Sequence, residues 1–190
     1  MIMYDIAVIG GGPAGATAAL FAAKAGKKTL LIDNDKGMTR RALMKNYYAV
    51  EEIDGPTMVD AGLKQAENFG ATIVNATANN LKQNGDSITI VTDNGEYEAK
   101  YVILATGAAV NLAETAGIKT KEGTEPRINK IIDVDKDGRT SMERVWAAGT
   151  CAGMSVHVVI TAGDGAKVAI NIISEMNGER YVDHDILEAK

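Results

Sequence analysis

The residues "AVIGGGPAGATAAL" (7–20) place three consecutive glycines between an apolar run and an alanine-rich stretch. Residues 4–9 are typical of a short strand buried on both faces, and residues 13–25 predict a helix that begins at Pro13 and ends before Gly26. The next apolar run, "KKTLLID", predicts a second buried strand. Strand, helix and strand in this order predict a βαβ unit, and therefore a parallel sheet.

The spacing of the glycines indicates what this unit binds. Gly10, Gly12 and Gly15 form the pattern G-x-G-x-x-G, in which the first glycine permits a sharp turn, the second admits a pyrophosphate and the third allows close helix packing. The unpaired N–H groups that begin the helix favour an anion. Asp33 ends the second strand, where a carboxylate can accept hydrogen bonds from ribose hydroxyls and disfavours a 2′-phosphate. The motif predicts a dinucleotide but leaves NAD and FAD open, because both contain ADP.

The middle of the chain predicts a helix and then a β-meander. Residues 56–69 have apolar side chains on one helical face, and Gly70 follows them. Three strand-like runs follow at 72–78, 87–93 and 96–106, separated by "QNGD" and "DNGE", whose Asn-Gly pairs favour tight turns. These runs predict a three-stranded antiparallel β-meander.

The last third begins with a polar stretch and returns to regular structure. Residues 111–125 lack periodicity, so we expect a linker there. Strands are predicted at 130–134 and 144–148, and a helix at 164–176.

Charge and composition exclude several classes of protein. The net charge of −5 offers no basic field for nucleic acid, and no apolar run reaches the roughly 18 residues of a membrane span. A first strand this close to Met1 leaves no room for a signal peptide, so we expect a cytoplasmic protein. Cys151 is the single cysteine, which excludes an intrachain disulfide or a thiolate zinc cluster, and a buried structural thiol is the favoured interpretation.

One stretch imitates a metal site. "DVDKDGRTSMER" (133–144) resembles a calcium-binding loop, but Arg144 stands where the bidentate glutamate should be. We therefore expect a turn between strands and no metal.

Three segments resemble a known family in order and content. "DIAVIGGGPAGATAAL", "YVILATG" (101–107) and "TSMERVWAAGTCAGMSVHVVITAGDGAKVA" (140–169) resemble the FAD-binding motifs of the thioredoxin reductase group of pyridine-nucleotide disulfide oxidoreductases. The resemblance extends over residues 1–107 and 130–178. It implies an α/β fold: a Rossmann-like FAD-binding domain with a parallel sheet flanked by helices and a three-stranded antiparallel meander.

The resemblance also implies a domain organisation. Residues 1–190 would form a single FAD-binding domain, with 1–107 and 130–190 forming the fold. Residues 108–129 would be a short linker where the family has an NADPH-binding domain with a redox-active CxxC.

The family's site residues can be placed on this sequence one by one. The resemblance implies that the pyrophosphate contacts Gly10, Gly12, Pro13, Ala14 and Gly15, that the adenosine ribose contacts Asp33, and that the adenine edge contacts Ala78. It also implies that Thr106 and Gly107 close over the dinucleotide. The flavin contacts that it implies are at Asn46, Gly149, Thr150, His157 and Val158. The helix that follows would direct its positive end, near Gly163 and Asp164, at the flavin ring.

The sequence departs from the family at several of these positions. Thr150 stands where the family has an aspartate that bonds the ribityl chain, and the loss of a charge-assisted bond costs about 1–3 kcal/mol. "YYAV" replaces the family's Pro-Gly after Asn46. Arg40 and Arg41 have no counterpart, and either form a docking patch or, the favoured interpretation, are solvated. His157 either tunes the flavin or is a histidine at a partly exposed loop end.

Three functional hypotheses follow. The first is an FAD-dependent oxidoreductase, thioredoxin reductase-like, whose electrons come from a separate protein or from transient NAD(P)H. The alternatives are a non-catalytic FAD-binding subunit or redox-sensing module, and an NAD-binding protein. A homodimer is expected, because a missing domain would leave apolar surface near one flavin face.

Overall fold

The computed structural model describes residues 2–187 and begins with the predicted βαβ unit. Strand β1 (Met3–Ile9), helix α1 (Pro13–Lys24) and strand β2 (Thr29–Asp33) follow one another, and β1 and β2 are parallel with Ile6 opposite Thr29. Both strands are almost wholly buried, because the sheet is covered on both faces. The predicted parallel sheet is confirmed.

A short irregular segment leads from β2 to the second helix. It contains a 3-10 turn at Met38–Arg41 and a two-stranded ladder of β3 (Leu43–Met44) and β4 (Ile53–Asp54). Helix α2 (Gly55–Asn68) is capped at its amino end by Asp54, whose carboxylate accepts hydrogen bonds from the Thr57 N–H and hydroxyl at 2.9 and 2.8 Å. These bonds lower the pKa of Asp54, as expected for a capping carboxylate.

The three-stranded meander is present, but its first strand is Ala78–Asn84 and not the predicted run 72–78. Strand β5 (Thr72–Asn75) runs parallel to β2 at the edge of the main sheet. The meander consists of β6 (Ala78–Asn84), β7 (Ser87–Thr92) and β8 (Gly95–Leu104). The prediction that residues 72–78 form the first meander strand was wrong, and β6 was missed because it is polar, with Leu81 alone buried among its residues.

The segment predicted as a linker contains secondary structure. It forms helix α3 (Asn111–Thr115) and strand β9 (Thr120–Glu122), which pairs antiparallel with β10 (Lys130–Ile132). Ile118 and Ile128 are buried and hold the segment on the body of the protein. Strand β10 is therefore part of this small ladder and not of the main sheet.

The chain returns to the main sheet with β11 (Val145–Ala147), which runs parallel to β8. The strand order is β5-β2-β1-β8-β7-β6, with β11 beside the second half of β8. The carboxyl ends of β2, β1, β8 and β11 thus lie at one edge of the sheet, where open α/β sheets bind ligands.

Helix α4 (Val158–Asn177) covers the sheet together with α1 and begins six residues before its predicted start. The β-branched run at 158–161 disguises the first turn, and packing against α1 overrides that preference. One face of the parallel strands β1 and β2 packs on α1 and α4, and the other packs on side chains of β6, β7 and α3. Among the described residues, no helix is both long enough and apolar enough to cross a membrane.

Candidate dinucleotide-binding site

A cleft of about 670 Å³ opens at the carboxyl edge of the parallel strands. This volume is within the range of small-molecule and cofactor sites. The predicted site residues that line it are Gly10, Gly12, Pro13, Ala14, Asp33, Ala78, Thr106, Gly107, Thr150 and Val158. The sheet topology therefore brings segments from all three sequence motifs into one cavity.

The three glycines of the motif have different surroundings. Gly10 has φ +108°, and a Cβ there would lie 2.2 Å from the Ala105 carbonyl oxygen. At Gly15 a Cβ would lie 1.7 Å from the Gly10 carbonyl oxygen, so this glycine packs α1 against the loop behind the cleft. At Gly12 a Cβ would meet no atom within 4 Å. Of these three glycines, Gly12 alone leaves room for a ligand to approach the backbone.

The amino end of α1 opens into the cleft without a side-chain cap. Gly12 is extended and its carbonyl accepts the Ala16 N–H at 2.8 Å, whereas no side chain of the described residues caps the helix. Pro13 has no N–H, and no acidic side chain lies in the first turn. The first N–H groups of a helix have no intrahelical partner and carry the positive end of its dipole. This end of α1 therefore suits an anion such as a diphosphate.

Asp33 contacts the glycine loop as well as the cleft. One carboxylate oxygen accepts the Gly11 N–H at 2.8 Å, and the other accepts the Asp35 N–H at 3.2 Å. A Cβ at Gly11 would lie 2.7 Å from the Asp33 carboxyl carbon, so Gly11 is needed for this contact. Sequence reasoning missed Gly11, although it is the middle glycine of the quoted run. Each carboxylate oxygen can still accept a second hydrogen bond from a ribose hydroxyl.

The segment after β2 forms one wall of the cleft. Asn34, Lys36, Gly37, Met38 and Thr39 line it beside Ala76, Thr77 and Ala78. The Arg40 guanidinium forms ion pairs with Asp35 and, at 2.9 Å, with Asp60. The favoured interpretation of Arg40 as a solvated side chain was therefore wrong, whereas Arg41 is exposed.

The turn after β8 forms the opposite wall. Thr106 donates its hydroxyl proton to the Ala109 carbonyl, and Gly107 has φ +65°. Both residues line the cleft, together with Asn111 and Leu112 of α3. The segment predicted as a linker thus contributes to the cleft wall, which no pattern in its residues indicates.

The third motif reaches the cleft through the turn at Gly149 and Thr150. Gly149 has φ +79° and ψ −151°, and a Cβ there would lie 2.8 Å from the Ala14 Cβ. Its N–H donates to the buried Asp164 carboxylate at 2.8 Å. Thr150 is buried yet lines the cleft, whereas Gly149 lies behind it.

Cys151 follows this turn but faces the protein interior. It is fully buried, and its thiol donates to the carbonyl oxygens of Leu104 and Ala148, each at 3.3 Å. Burial raises the pKa of the Cys151 thiol, so it stays protonated near neutral pH. The prediction of a buried cysteine is confirmed.

The amino end of α4 lies at the cleft, but not where predicted. Val158 and Thr161 line the cleft, whereas Gly163 and Asp164 are inside the helix. The predicted helix start near Gly163 was therefore wrong. His157 precedes α4, is exposed, and its ring Nδ1 lies 2.8 Å from the Ser155 hydroxyl oxygen. Asn46 is exposed between β3 and β4 and does not line the cleft.

The calcium-like stretch forms a tight turn. The Asp135 carboxylate accepts the backbone N–H groups of Asp137, Gly138 and Arg139 at 2.9–3.0 Å. Although burial opposes the shift, these backbone bonds lower the pKa of Asp135. One carboxylate oxygen, Oδ1, is thus engaged by the turn itself, and the other forms an ion pair with Arg139 at 3.7 Å.

Comparison with known proteins identifies the family. The family model described as pyridine nucleotide-disulphide oxidoreductase matches residues 4–128 and 64–166. The chain belongs to this family. Members of the family are flavoproteins, and typically bind FAD.

Several curated thioredoxin reductases match part of the chain. That of Peptoclostridium acidaminophilum is 40% identical over 145 residues, which is 74% of this chain and 45% of the relative. That of Listeria monocytogenes is 32% identical over 124 residues, 64% of this chain and 39% of the relative. The chain thus matches less than half the length of these family members.

Solved structures share the fold. A thioredoxin reductase from Gloeobacter violaceus superposes with a TM-score of 0.82 at 18% identity, covering 99% of this chain and 100% of the other. An atypical thioredoxin reductase from Desulfovibrio vulgaris Hildenborough gives 0.81 at 19% identity, covering 92% and 98%. At these identities the likeness establishes the family fold.

Proposed function

We propose that this chain binds FAD in the cleft and acts as a flavoprotein oxidoreductase that receives its electrons from outside the chain. The observation that carries the proposal is the uncapped amino end of α1 at Gly12, in a cleft also lined by Thr106 and Thr150. A phosphate fits at Gly12 because the backbone is accessible there and the helix dipole favours its charge.

The residues of the cleft suit the successive parts of FAD. The diphosphate would lie against Gly12 and Ala14, the adenosine ribose against Asp33, and the adenine against the backbone at Ala78. The flavin end would extend between Thr106 and Gly107 on one side and Thr150 and Val158 on the other. Bound FAD would supply the electron-transfer chemistry, while these residues bind and orient it.

The amino end of α4 gives the flavin end of the cleft a positive electrostatic character. Val158 begins α4 and lines the cleft, so the first N–H groups of this helix lie beside the proposed flavin position. A positive dipole there favours a negative charge on the reduced ring. His157 immediately precedes α4, and its exposed side chain does not line the cleft.

Two features support an external source of electrons. Residues 108–129 fold into the short elements α3 and β9, which leave no room between the second and third motifs for a nicotinamide-binding domain. Cys151 is this chain's single cysteine and is buried, so it cannot form an intrachain redox disulfide. We propose that a separate partner protein or NAD(P)H itself reduces the flavin.

Exposed apolar side chains near the cleft favour the burial of this surface against a second protein. The apolar side chains of Met38, Val156, Val159 and Ile160 are exposed, and Met38 and Val156 also line the cleft. We propose a homodimer as one cover for this surface. Analytical ultracentrifugation with and without FAD measures whether the dimer forms.

The direct test is reconstitution of the purified protein with FAD. We expect a flavin absorption spectrum that stays with the protein through gel filtration, and a Gly12→Asp variant that folds but loses FAD, because a carboxylate would occupy the phosphate position. Gly85→Asp is the control: a Cβ there also meets no atom within 4 Å, aspartate tolerates its φ of +58°, and Gly85 lies in the β6–β7 turn and does not line the cleft. Wild-type protein that takes up no FAD contradicts the proposal, and uptake of NAD instead favours an NAD-binding protein.

Anaerobic mixing of the FAD-loaded protein with NADH or NADPH tests the electron source. Prompt bleaching of the flavin indicates a direct nicotinamide donor. An unchanged spectrum, with bleaching by dithionite, assigns the donor role to a partner protein. A flavin that exchanges no electrons with any protein partner would indicate a non-catalytic FAD-binding subunit.

A further inference from the structure

Asp164 is a buried acid to which the proposed function has so far given no role. It lies in the second turn of α4, and 5% of its side chain is exposed. One carboxylate oxygen accepts the Gly149 N–H at 2.8 Å, and the other forms an ion pair with Lys167 at 2.7 Å. The acid thus connects α4 to the turn that carries Thr150 into the cleft.

The Gly149 turn needs such a connection because its backbone conformation is unusual. At φ +79° and ψ −151°, Gly149 occupies a region essentially restricted to glycine. Its N–H points away from the cleft and into the protein, where a buried donor without a partner is costly. The Asp164 carboxylate is the acceptor that satisfies this N–H.

The first and third motifs approach each other closely at the same place. A Cβ at Gly165 would lie 2.1 Å from the Ala14 carbonyl oxygen, and one at Gly149 would lie 2.8 Å from the Ala14 Cβ. Ala14 belongs to the first turn of α1, where the diphosphate is proposed to bind. The Asp164–Gly149 bond therefore fixes the Thr150 turn directly beside the anion-binding end of α1.

The charge of Asp164 makes this bond strong without leaving a buried charge unpaired. A hydrogen bond to an ionised carboxylate is about twice as strong as one between neutral groups. Lys167 is half-exposed and neutralises the acid at the edge of the buried site. Lys167 is one helical turn after Asp164, so the pair is held by α4 itself.

We propose that Asp164 is a positioning residue for FAD binding: through the Gly149 peptide it holds Thr150 in register with the amino end of α1, so that both contact one dinucleotide. This role rests on the proposed function. Thr150 lacks the carboxylate found at its position in the resembled motif. Here a carboxylate acts one layer behind the ligand, by fixing the turn and not by touching the flavin.

The test compares Asp164→Asn and Asp164→Ala with a matched control. The asparagine oxygen can still accept the Gly149 N–H, so we expect a dissociation constant for FAD about 3- to 10-fold above wild type, and an alanine effect of about 10- to 100-fold. Glu175→Gln is the control, because it removes an ion-paired carboxylate from the same helix outside the cleft. We expect its FAD affinity to stay within twofold of wild type.

Two further readouts separate positioning from general destabilisation. Amide hydrogen exchange at Gly149 in the FAD-free protein should accelerate in Asp164→Ala and less in Asp164→Asn, with little change at sites in β1. The visible circular dichroism of bound FAD should change in both variants but not in Glu175→Gln. If Asp164→Ala does not fold, Asp164→Asn provides the same comparison.

The failures of the two proposals are distinguishable. Wild-type protein that binds no FAD contradicts the proposed function. FAD affinities within twofold of wild type in the Asp164 variants, or an unchanged Gly149 exchange rate, would overturn the positioning role.

Discussion

The first and third motifs contact the same cleft but are built in different ways. In the opening βαβ unit, the loop at Gly10, Gly11 and Gly12 is held by Asp33, which also lines the cleft, and by direct contacts with Gly15 and Ala105. The turn at Gly149 is held by Asp164, which is buried and does not line the cleft, and by close contact with Ala14. Both regions need glycine at a close contact, but the carboxylate that holds the first loop also faces the ligand site, whereas the carboxylate that holds the third is buried behind it.

The largest expected effect is at Gly15, where the first region has no space. Gly15→Ala places a methyl group on the Gly10 carbonyl oxygen, so we expect the free energy of unfolding to fall by about 3 kcal/mol or more. Urea denaturation measures the change. Gly12→Ala is the contrast, because its methyl group meets no atom, and we expect a loss of about 1 kcal/mol or less. Equal losses in the two variants would contradict the assigned roles of these glycines.

A smaller effect is expected at Gly149, which tests the third region in the same way. Gly149→Ala is strained at φ +79° and its methyl group contacts Ala14, so we expect a loss of about 2 kcal/mol in the free energy of unfolding. Because the turn would move relative to α1, FAD affinity should also fall more than tenfold. Unchanged FAD affinity in a folded variant would show that the turn does not contribute to the cleft's binding surface.

The parts of the fold and of the candidate site that the sequence predicts are those with a strong local pattern. The βαβ unit was predictable because its signals, the glycine spacing and two short apolar runs, lie within the first 33 residues. Strand β6 was not predictable, because Leu81 is its single buried residue and its sequence shows no apolar–polar alternation. Its place in the sheet comes from pairing with β7. The start of α4 was hidden by its β-branched first turn. The role of Asp164 was not predictable either, because it rests on a hydrogen bond with the Gly149 N–H for which the sequence carries no recognised motif.

The smallest expected effect is at Cys151, which lies next to the cleft but faces the interior. Because burial raises the thiol pKa above its usual value, the neutral thiol stabilises the fold below the unfolded-state pKa, and this contribution is lost as pH rises through the folded-state pKa. We expect the native protein to react with a thiol reagent at pH 8 at least about 100-fold more slowly than the unfolded protein. Cys151→Ala should keep FAD affinity and flavin reduction within twofold of wild type. A loss of flavin reduction alone would assign the thiol a redox role.

The proposed function depends above all on one contact, between the amino end of α1 and the diphosphate of a flavin nucleotide. Backbone amide NMR of isotope-labelled protein during FAD titration detects this contact. We expect the amide signals of Gly12, Ala14 and Gly15 to shift together with that of Thr150, with one dissociation constant, while the protein acquires a flavin spectrum. Amide signals at α1 that do not respond to FAD, in a protein that remains colourless, would contradict it.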